Sequence, residues 1–539
     1  MEYNLADLYE AIADAVPDNI ALASGDVHHT YSDLDKRANQ LAHYLQSRGI
    51  GAGDHVGLHL FNGHEFVEAI LALFKLRAVG INVNYRFVGP EVRYMVDNAD
   101  LKGIITQRRF LPVINEAMQG LEPLQALIVI EDGADAVSDQ ESVEYENAMS
   151  QGSEERDFGS RSGNDLYIVY TGGTTGMPKG VMWRHEDLFF TGLQGGSPGG
   201  DPVESPEQLI EQVKEGWYTV SMLPCAPFIH GSAQWTQWIC HLTGGKLVLQ
   251  HGPSFDAKRI LALVGEEELS TLSLVGDAMA IPLVEELRAG DYDMSNLAVI
   301  ASAGAILSAS IQAEIEELLP DVMIINSFGT SEAGDLGRAA ADEDSHEGRP
   351  SFYMGDDVTV LDEEGKQIEP GSGNIGLVAR SGRLPLGYYK DPEKTAERFK
   401  EFNGKRWVVP GDFATIEEDG RITFLGRGSK CINTGGEKVF PEEVEEALKA
   451  HPEIIDALVV AVPDPRFGSK VAAVFNTRDN KQLTLEEVKQ HCRNHIAGYK
   501  IPRQITITET VSRMPSGKPD YPWAEEIARE QASAQTASP

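Results

Sequence analysis

Cysteine is scarce: Cys225, Cys240, Cys431 and Cys492 are spread over 539 positions with no CxxC pair among them. That excludes a disulfide framework and a thiolate metal site, and leaves bland buried or half-buried thiols. Basic residues are also few, 46 Lys and Arg against 83 Asp and Glu, for a formal net charge of −37. Such a surface repels nucleic acid and anionic membranes, so neither is expected as a partner. Long apolar runs are missing. Stretches such as residues 457–462 fall far short of a membrane span, and the MEYNLADLYE start lacks a basic segment followed by an apolar one. A cytoplasmic protein with no integral membrane segment is expected. Among 14 histidines, no HExxH motif or Cys/His cluster in the sequence marks a zinc site.

What the chain does have is length and an ordinary core. Its 539 residues exceed the size at which one hydrophobic core keeps growing, so several folding units are expected. A composition of 42% hydrophobic and 24% charged residues is that of a globular protein. Over residues 31–51, Leu34, Ala38, Leu41 and Leu45 recur at helical spacing, with Ser32 available as a cap and Gly49 and Gly51 as stops. An apolar strand at 55–60 follows, then a helix at 65–76 and short apolar runs at 103–106 and 126–130. Helix and buried strand keep alternating through 166–170, 245–249, 298–301 and 322–326, which predicts α/β layers. Residues 192–206, rich in Gly, Pro, Ser and acids, are expected to form a surface loop. The GxSxG pattern at 195–199 lacks the flanking strand and helix that would turn Ser197 into a nucleophile.

Short strands at 358–361, 376–379 and 422–425, separated by DEEG and EEDG turns, predict a β-rich subdomain closing the large domain. After Gly428 the pattern restarts as a compact unit with a helix at 441–450, strands at 457–462 and 471–475, a helix at 485–496 and a strand at 504–508. Its length is typical of a domain. The expected division is therefore 1–427, 428–530 and a frayed polar tail at 531–539.

The strongest local signal is the apolar run 166–170 leading into Thr171-Gly-Gly-Thr-Thr-Gly-Met-Pro-Lys179-Gly180. Glycines let successive N–H groups converge on an anion, while Thr171, Thr174, Thr175 and Lys179 add hydroxyls and a positive charge. This suits a phosphate cradle, locally basic against an acidic background. It is not a Walker loop, whose Gly–Lys spacing differs and whose lysine precedes Ser or Thr rather than Gly180. A plain Gly/Thr hairpin is the bland alternative for this stretch alone.

YTGGTTGMPKG resembles the signature of the adenylate-forming enzymes, which include acyl-CoA synthetases, aryl-CoA ligases, beetle luciferases and peptide-synthetase adenylation domains. Further matches follow in the family's order: Pro227-Phe-Ile-His230-Gly231, Asn326-Ser-Phe-Gly-Thr-Ser-Glu332, Pro410-Gly411-Asp412, Gly426-Arg427 through Glu445, and Pro515-Ser-Gly517-Lys518. The resemblance implies an α/β fold: a large N-terminal domain of two α/β layers plus a β subdomain, then a small mobile α+β C-terminal lid. It implies ATP, Mg²⁺ and CoA as cofactors and a small-molecule carboxylic acid as partner, and it admits a homodimer.

By the same resemblance, Thr171, Gly172, Gly173, Thr174, Thr175 and Lys179 would bind the ATP phosphates, and Ala303, Gly304 and Ala305 would lie beside adenine. Asn326, Ser327, Phe328, Gly329, Thr330 and Ser331 complete the nucleotide wall. Glu332, with Thr171, would hold Mg²⁺, since a carboxylate suits a hard cation. Asp412 would grip the ribose hydroxyls, and Arg427 the ribose or a phosphate. Lys518 would stabilise charge as the acid attacks the α-phosphate, with Glu332 and His230 as further catalytic residues. Ser429 takes the hinge position, where relatives carry Asp or Lys; Gly435, Gly436 and Lys438 match the CoA tunnel. Pro410 replaces the commoner Thr, and Phe328 stands for Tyr with its aromatic face retained.

The PFIHG segment has no aspartate for an α-ammonium group, so the acid is expected to lack one. His230, Trp235, Met222, Val275 and Met279 are candidates for an apolar acyl pocket, though each also suits ordinary core. The VMWRHED, GRGSKCINTGGEKVFPEEVEEALK and VVAVPDPRFG segments look most like bacterial fatty acyl-CoA ligases, including those of sterol side-chain breakdown. The expected function is an AMP-forming acyl-CoA synthetase for a medium- or long-chain, or sterol side-chain, acid. An aryl or cinnamate-type CoA ligase shares every motif, and a nucleotide-binding regulator without catalysis is the reading from another class.

Overall fold

The computed structural model describes residues 2–171, 177–252, 254–340, 345–346, 349–434, 437–464, 468–514 and 517–537. The helix Tyr31–Ser47 forms where the apolar spacing places it, and Leu34, Ala38, Leu41 and Leu45 are all buried. Its cap is Thr30 rather than Ser32. The Thr30 hydroxyl accepts from Asp33 N at 3.0 Å while the Asp33 carboxylate accepts from Thr30 N at 3.1 Å, the reciprocal capping box that Thr-x-x-Asp spacing permits.

Two parallel sheets follow from the alternation of helix and strand. In the first, Val79–Asn82, His55–His59, Leu101–Gln107, Ala126–Ile130 and Val143–Glu144 pair in that order, all parallel. In the second, Lys246–Leu249, Ser221–Pro224, Thr271–Leu274, Val299–Ala303 and Met323–Thr330 pair in parallel. The hairpin of Leu166–Thr171 and Lys179–Arg184 belongs to a third, small sheet completed by Gly387–Tyr388. The β-rich region does not stand apart as a cap. Met323–Thr330 turns at Gly334 (φ +70°) into the antiparallel Gly334–Ala340, and the ladder runs on through Arg349–Met354 to Ile422–Arg427 and Asp412–Ile416. The α/β layer and the β region thus share one hydrogen-bonded sheet. The 192–206 segment is a loop with two parts: residues 199–202 and Glu204 are exposed, as expected of a surface loop, while Leu193, Ser197 and Val203 are buried and the Ser197 hydroxyl donates to Gln212 Oε1 at 3.0 Å. Its small residues let it pack inward, and Ser197 is structural.

The C-terminal domain has a separate core. Ile454–Asp464 pairs antiparallel with Gly468–Thr477, which pairs in parallel with Gln504–Ile507. Side chains alternate across this sheet. Ala457 and Val459 face a cluster with Val444, Leu448 and Val488, whereas Leu458 and Val460 face Tyr521, Ala524 and Ala528. Covering that second face gives the chain end a reason to be ordered, and the helix Tyr521–Ala537 continues through most of the expected frayed tail. Gln504 Nε2 donates to Ala528 O at 2.7 Å within it. Among the described residues no helix is long and apolar enough to cross a membrane. Cys225, Cys240 and Cys492 are buried, and Cys431 is half-buried.

Three histidines are sealed in the large domain. Burial lowers His59 to about 3 and His185 and His241 to about 4. Leu5 N donates to His185 Nδ1 at 3.2 Å, which a neutral ring accepts. The folded state refuses protons that the unfolded chain takes up below about pH 6.5. Stability is therefore full above that pH and falls as pH drops towards 4, each ring adding about 1.4 kcal/mol per pH unit. Denaturant melts between pH 7 and pH 4 should show this slope; a flat profile would show that the rings titrate freely in the fold.

Candidate active site

The signature loop is closed at its base by Thr171 pairing with Lys179, and Tyr389 N donates to Gly180 O at 2.8 Å. Gly172, Gly173, Thr174 and Thr175 lie outside the described residues. The Lys179 ammonium sits 2.7 Å from Asp391 Oδ2 and 5.7 Å from the Tyr388 ring centre. Tyr388 in turn donates its hydroxyl to Glu332 Oε1 at 2.8 Å. One tyrosine therefore joins the signature lysine to the candidate metal carboxylate. Burial and the Glu332 charge push the Tyr388 phenol well above its usual range, so it stays a donor. Trp183 Nε1 donates to Ser331 O at 2.9 Å and fixes the backbone beside Glu332.

The residues expected to wall the nucleotide lie at the carboxyl ends of parallel strands, where α/β sheets hold ligands. Ala303 pairs beside Ser327, and Ser302 beside Asn326. Gly304 takes φ +84°, a left-handed turn that frees the chain from the strand, and Ala305 follows it. Phe328 lies against Phe352 at 5.5 Å and Phe424 at 5.1 Å between ring centres, so an aromatic position is kept where the sequence placed it. Gly329 and Thr330 form the last rungs before the hairpin, and Ala333 N donates to Thr330 Oγ1 at 3.1 Å.

Asp412 and Arg427 sit opposite each other on adjacent strands, and Arg427 Nε donates to Asp412 Oδ1 at 3.0 Å. Asp412 is 1% exposed, and its Oδ2 has no hydrogen-bond partner among the described residues. Burial pushes its carboxyl above the usual range even with Arg427 pulling the other way. A buried carboxylate oxygen of this kind fits a hydroxyl donor such as ribose provides. Arg398 shapes the turn before it by donating to Pro410 O at 2.8 Å.

The C-terminal domain brings Lys518 to this cluster. A tight turn, with Met514 N donating to Lys518 O and Gly517 N to Met514 O, both at 2.8 Å, presents Gly517 at φ +79°. A Cβ there would lie 3.2 Å from Val275 Cγ1, so the turn rests on the large domain. Lys518 keeps a solvent-open surface in a crowded cleft. Crowding and Arg427 lower its proton affinity, while Glu332 and Asp412 act in the opposite sense. His230, at the head of the helix Gly231–Leu242, feels the Lys518 and Arg86 charges, and burial with them lowers it to about 4. It is a neutral ring near neutral pH. His230 Nε2 and Trp235 Nε1 are buried without partners among the described residues.

Met222, Val275 and Met279 are buried in the main core. Val275 alone of these touches both Gly304 and Gly517, at 3.9 Å and 3.2 Å from the Cβ each glycine lacks. Gly435 and Gly436 lie outside the described residues, and of Ser429 and Lys438 only the backbone is described, in a short 3₁₀ turn and in the strand Glu437–Val439. Sequence reasoning missed Tyr388 and Asp391, whose partners stand 56 and 212 positions away and leave no spacing signal. It also missed a spatial histidine cluster, His29, His64 and Glu68, with ligand atoms within 4.8 Å of one another. Glu68 there already accepts from His64, Arg37 and Tyr145 at 2.7–3.1 Å, and the Arg37 cation makes the cluster an ion network.

A family model described as AMP-binding enzyme matches residues 9–389, and one described as AMP-binding enzyme C-terminal domain matches 443–518. The chain belongs to the AMP-binding enzymes. It is an adenylate-forming acyl-CoA ligase within them. It is 45% identical to a 3-oxocholest-4-en-26-oate–CoA ligase of Rhodococcus rhodochrous, over 98% of this chain and 96% of that one. A medium/long-chain-fatty-acid–CoA/3-oxocholest-4-en-26-oate–CoA ligase of Mycolicibacterium smegmatis is 43% identical over 98% and 97%. In fold, this AMP-binding enzyme is similar to an anthranilate CoA ligase in complex with anthranoyl-AMP, with a TM-score of 0.83, 23% identity and coverage of 99% and 98%. The large N-terminal and small C-terminal domains expected from the motifs are those of this family.

Proposed function

We propose that this ligase activates a medium- or long-chain fatty acid, or a sterol side-chain acid, in the cytoplasm. In the first step a carboxylate oxygen bonds to the α-phosphorus of ATP and pyrophosphate leaves. In the second the CoA sulfur bonds to the acyl carbon, its thiol proton departs and AMP leaves. The observation that supports the residue assignment is the seating of the Gly517–Lys518 turn on Val275, the residue that also lies beside Gly304, on the same side of the protein as the Asp412–Arg427 pair whose charges, with Glu332, act on Lys518. Each suits a distinct part of the nucleotide.

On this reading Asp412 Oδ2 accepts from ribose, Arg427 holds Asp412 in place, and Phe328 with Ala303–Gly304–Ala305 flanks adenine. Lys179, Thr171 and the loop of Gly172, Gly173, Thr174 and Thr175 take the phosphates, drawing Lys179 from Asp391. Glu332, oriented by Tyr388, together with Thr171 would hold Mg²⁺, which when bound neutralises triphosphate charge. Lys518 stabilises the charge that gathers at the α-phosphate, where anion meets anion. The neutral His230 can accept or donate at the acid's carboxylate, and Trp235, Met222, Val275 and Met279 face the acyl chain. The lid, residues 428–530, turns about Ser429 to bring Gly435, Gly436 and Lys438 to CoA.

The preference for fatty or sterol side-chain acids rests on the relatives, whose names carry those substrates over nearly the whole chain. Mass analysis of thioesters formed from a mixed acid pool with ATP, Mg²⁺ and CoA tests it. Medium-chain, long-chain or sterol side-chain thioesters are expected to dominate. Dominance of aryl, acetyl or aminoacyl products would overturn the substrate class, and absence of any thioester or AMP would overturn the activity.

A further inference from the structure

Among the polar contacts by which the described residues of the C-terminal domain meet the large domain, one is buried from end to end. Lys449 Nζ lies 2.7 Å from Asp277 Oδ2, with side chains 6% and 1% exposed. The Asp277 carboxylate is also fixed from its own side, because Oδ1 accepts from Ser308 N at 2.7 Å and from the Ser308 hydroxyl at 3.1 Å. Val275, two residues earlier, is the residue on which Gly517 rests. One short turn of the large domain therefore receives the lid twice, at Lys449 and beside Lys518.

Lys449 ends the helix Pro441–Lys449, whose first turn carries Glu442 against the Gly426 backbone, at 2.3 Å from the Cβ that Gly426 lacks. Arg427 follows directly. The helix spans from the Arg427 strand to the Asp277 turn and sets the lid's orientation at both ends. Ala309 N also donates to Glu446 Oε1 of the same helix at 3.1 Å. The other cross-domain ion pair described, Arg478 with Glu314 at 2.9 Å, is 45% exposed on the arginine side and constrains little.

We propose that Lys449 is a positioning residue for adenylate formation: its buried ion pair with Asp277 selects the lid pose that delivers Lys518. The inference rests on the role assigned above to Lys518. In this pose Asp277 is buried, with Lys449 the cation in direct contact and Arg513 acting from farther off, and a buried carboxylate that loses its contacting cation is strongly disfavoured. Any turn of the lid parts them, so the pair favours this pose over every other. Without Lys449 the pose leaves Asp277 buried and unpaired, and the fraction of enzyme with Lys518 in place drops.

The experiment uses the full chain, with decanoate for acid-dependent exchange of pyrophosphate into ATP and decanoyl-adenylate for the thioester step. Lys449→Met should lower the maximal exchange rate about tenfold, in proportion to the lost competent fraction. The KM for ATP and the thioester rate should stay near wild type, a split that general loss of stability would not give. Lys449→Arg should retain most of the exchange. Lys449→Met combined with Asp277→Asn, which removes both charges and keeps an oxygen for Ser308, should recover part of the loss, so the two changes are non-additive. Unchanged exchange, or equal loss in both steps, would overturn the proposal. If Lys449→Met does not fold, Asp277→Asn alone takes its place with the same expectation. Wild type that exchanges no pyrophosphate with decanoate would instead overturn the fatty-acid reading itself, and this inference with it.

Discussion

Lys518→Ala is expected to lower acyl-adenylate formation by about 10²–10³-fold, the loss typical when one preorganised donor to developing charge is removed. The argument is electrostatic. Acid and triphosphate are both anions, and the cleft already holds Glu332 and Asp412, so the approach of carboxylate to phosphorus is uphill without a cation on that side. Lys179 and Arg427 are engaged by Asp391 and Asp412. Lys518 is the cation that the C-terminal domain adds, and crowding, with Arg427 nearby, lowers its proton affinity even though part of its surface stays open to solvent. Thioester formation from supplied acyl-adenylate should persist, because the phosphorus–oxygen bond is already made. Single-turnover measurement of each step separates the two, and equal loss in both would refute the division of labour.

Asp412→Ala should raise the KM for ATP by about 10- to 10²-fold, as expected for losing a charge-assisted hydrogen bond of about 1.5–3 kcal/mol to a ligand hydroxyl. Wild type should discriminate against ATP analogues lacking a ribose hydroxyl, and the variant should not. The thermal midpoint should hold or rise. Burial lifts the folded pKa of Asp412 above its unfolded value, so near neutral pH the fold bears the cost of an ionised carboxylate that the unfolded chain does not. Its partner Arg427 has about half its side chain in solvent and can rehydrate. Weaker ATP binding with no loss of stability is the signature of a residue kept for function. A fall in melting temperature with unchanged KM would show that Asp412 serves the fold alone.

Much of this site was readable in the sequence because its parts are local. Thr171 and Lys179 bracket one loop, Asn326–Glu332 one strand end, and Gly517–Lys518 one turn, so their spacing carries the signal. Helices whose apolar residues recur at regular intervals, such as Tyr31–Ser47, were legible for the same reason. The unread parts are pairings between distant segments. Tyr388 with Glu332, Lys179 with Asp391 and Lys449 with Asp277 are contacts that only the folded chain creates. The order of the last helix was not read, because its covering residues Tyr521, Ala524 and Ala528 find their sheet face only in the folded chain. The 192–206 segment was half legible: its composition is that of a loop and residues 199–202 are exposed, but Leu193, Ser197 and Val203 are packed in the core.

The shared ladder from Met323–Thr330 to Asp412–Ile416 has a mechanical consequence. The wall proposed for adenine and the carboxylate proposed for ribose hang from one continuous fabric of main-chain bonds, so neither can loosen while the other stays taut. Warming this enzyme should abolish its hold on the whole nucleoside in a single cooperative event, and an engineer seeking a different base would have to re-thread both ends together.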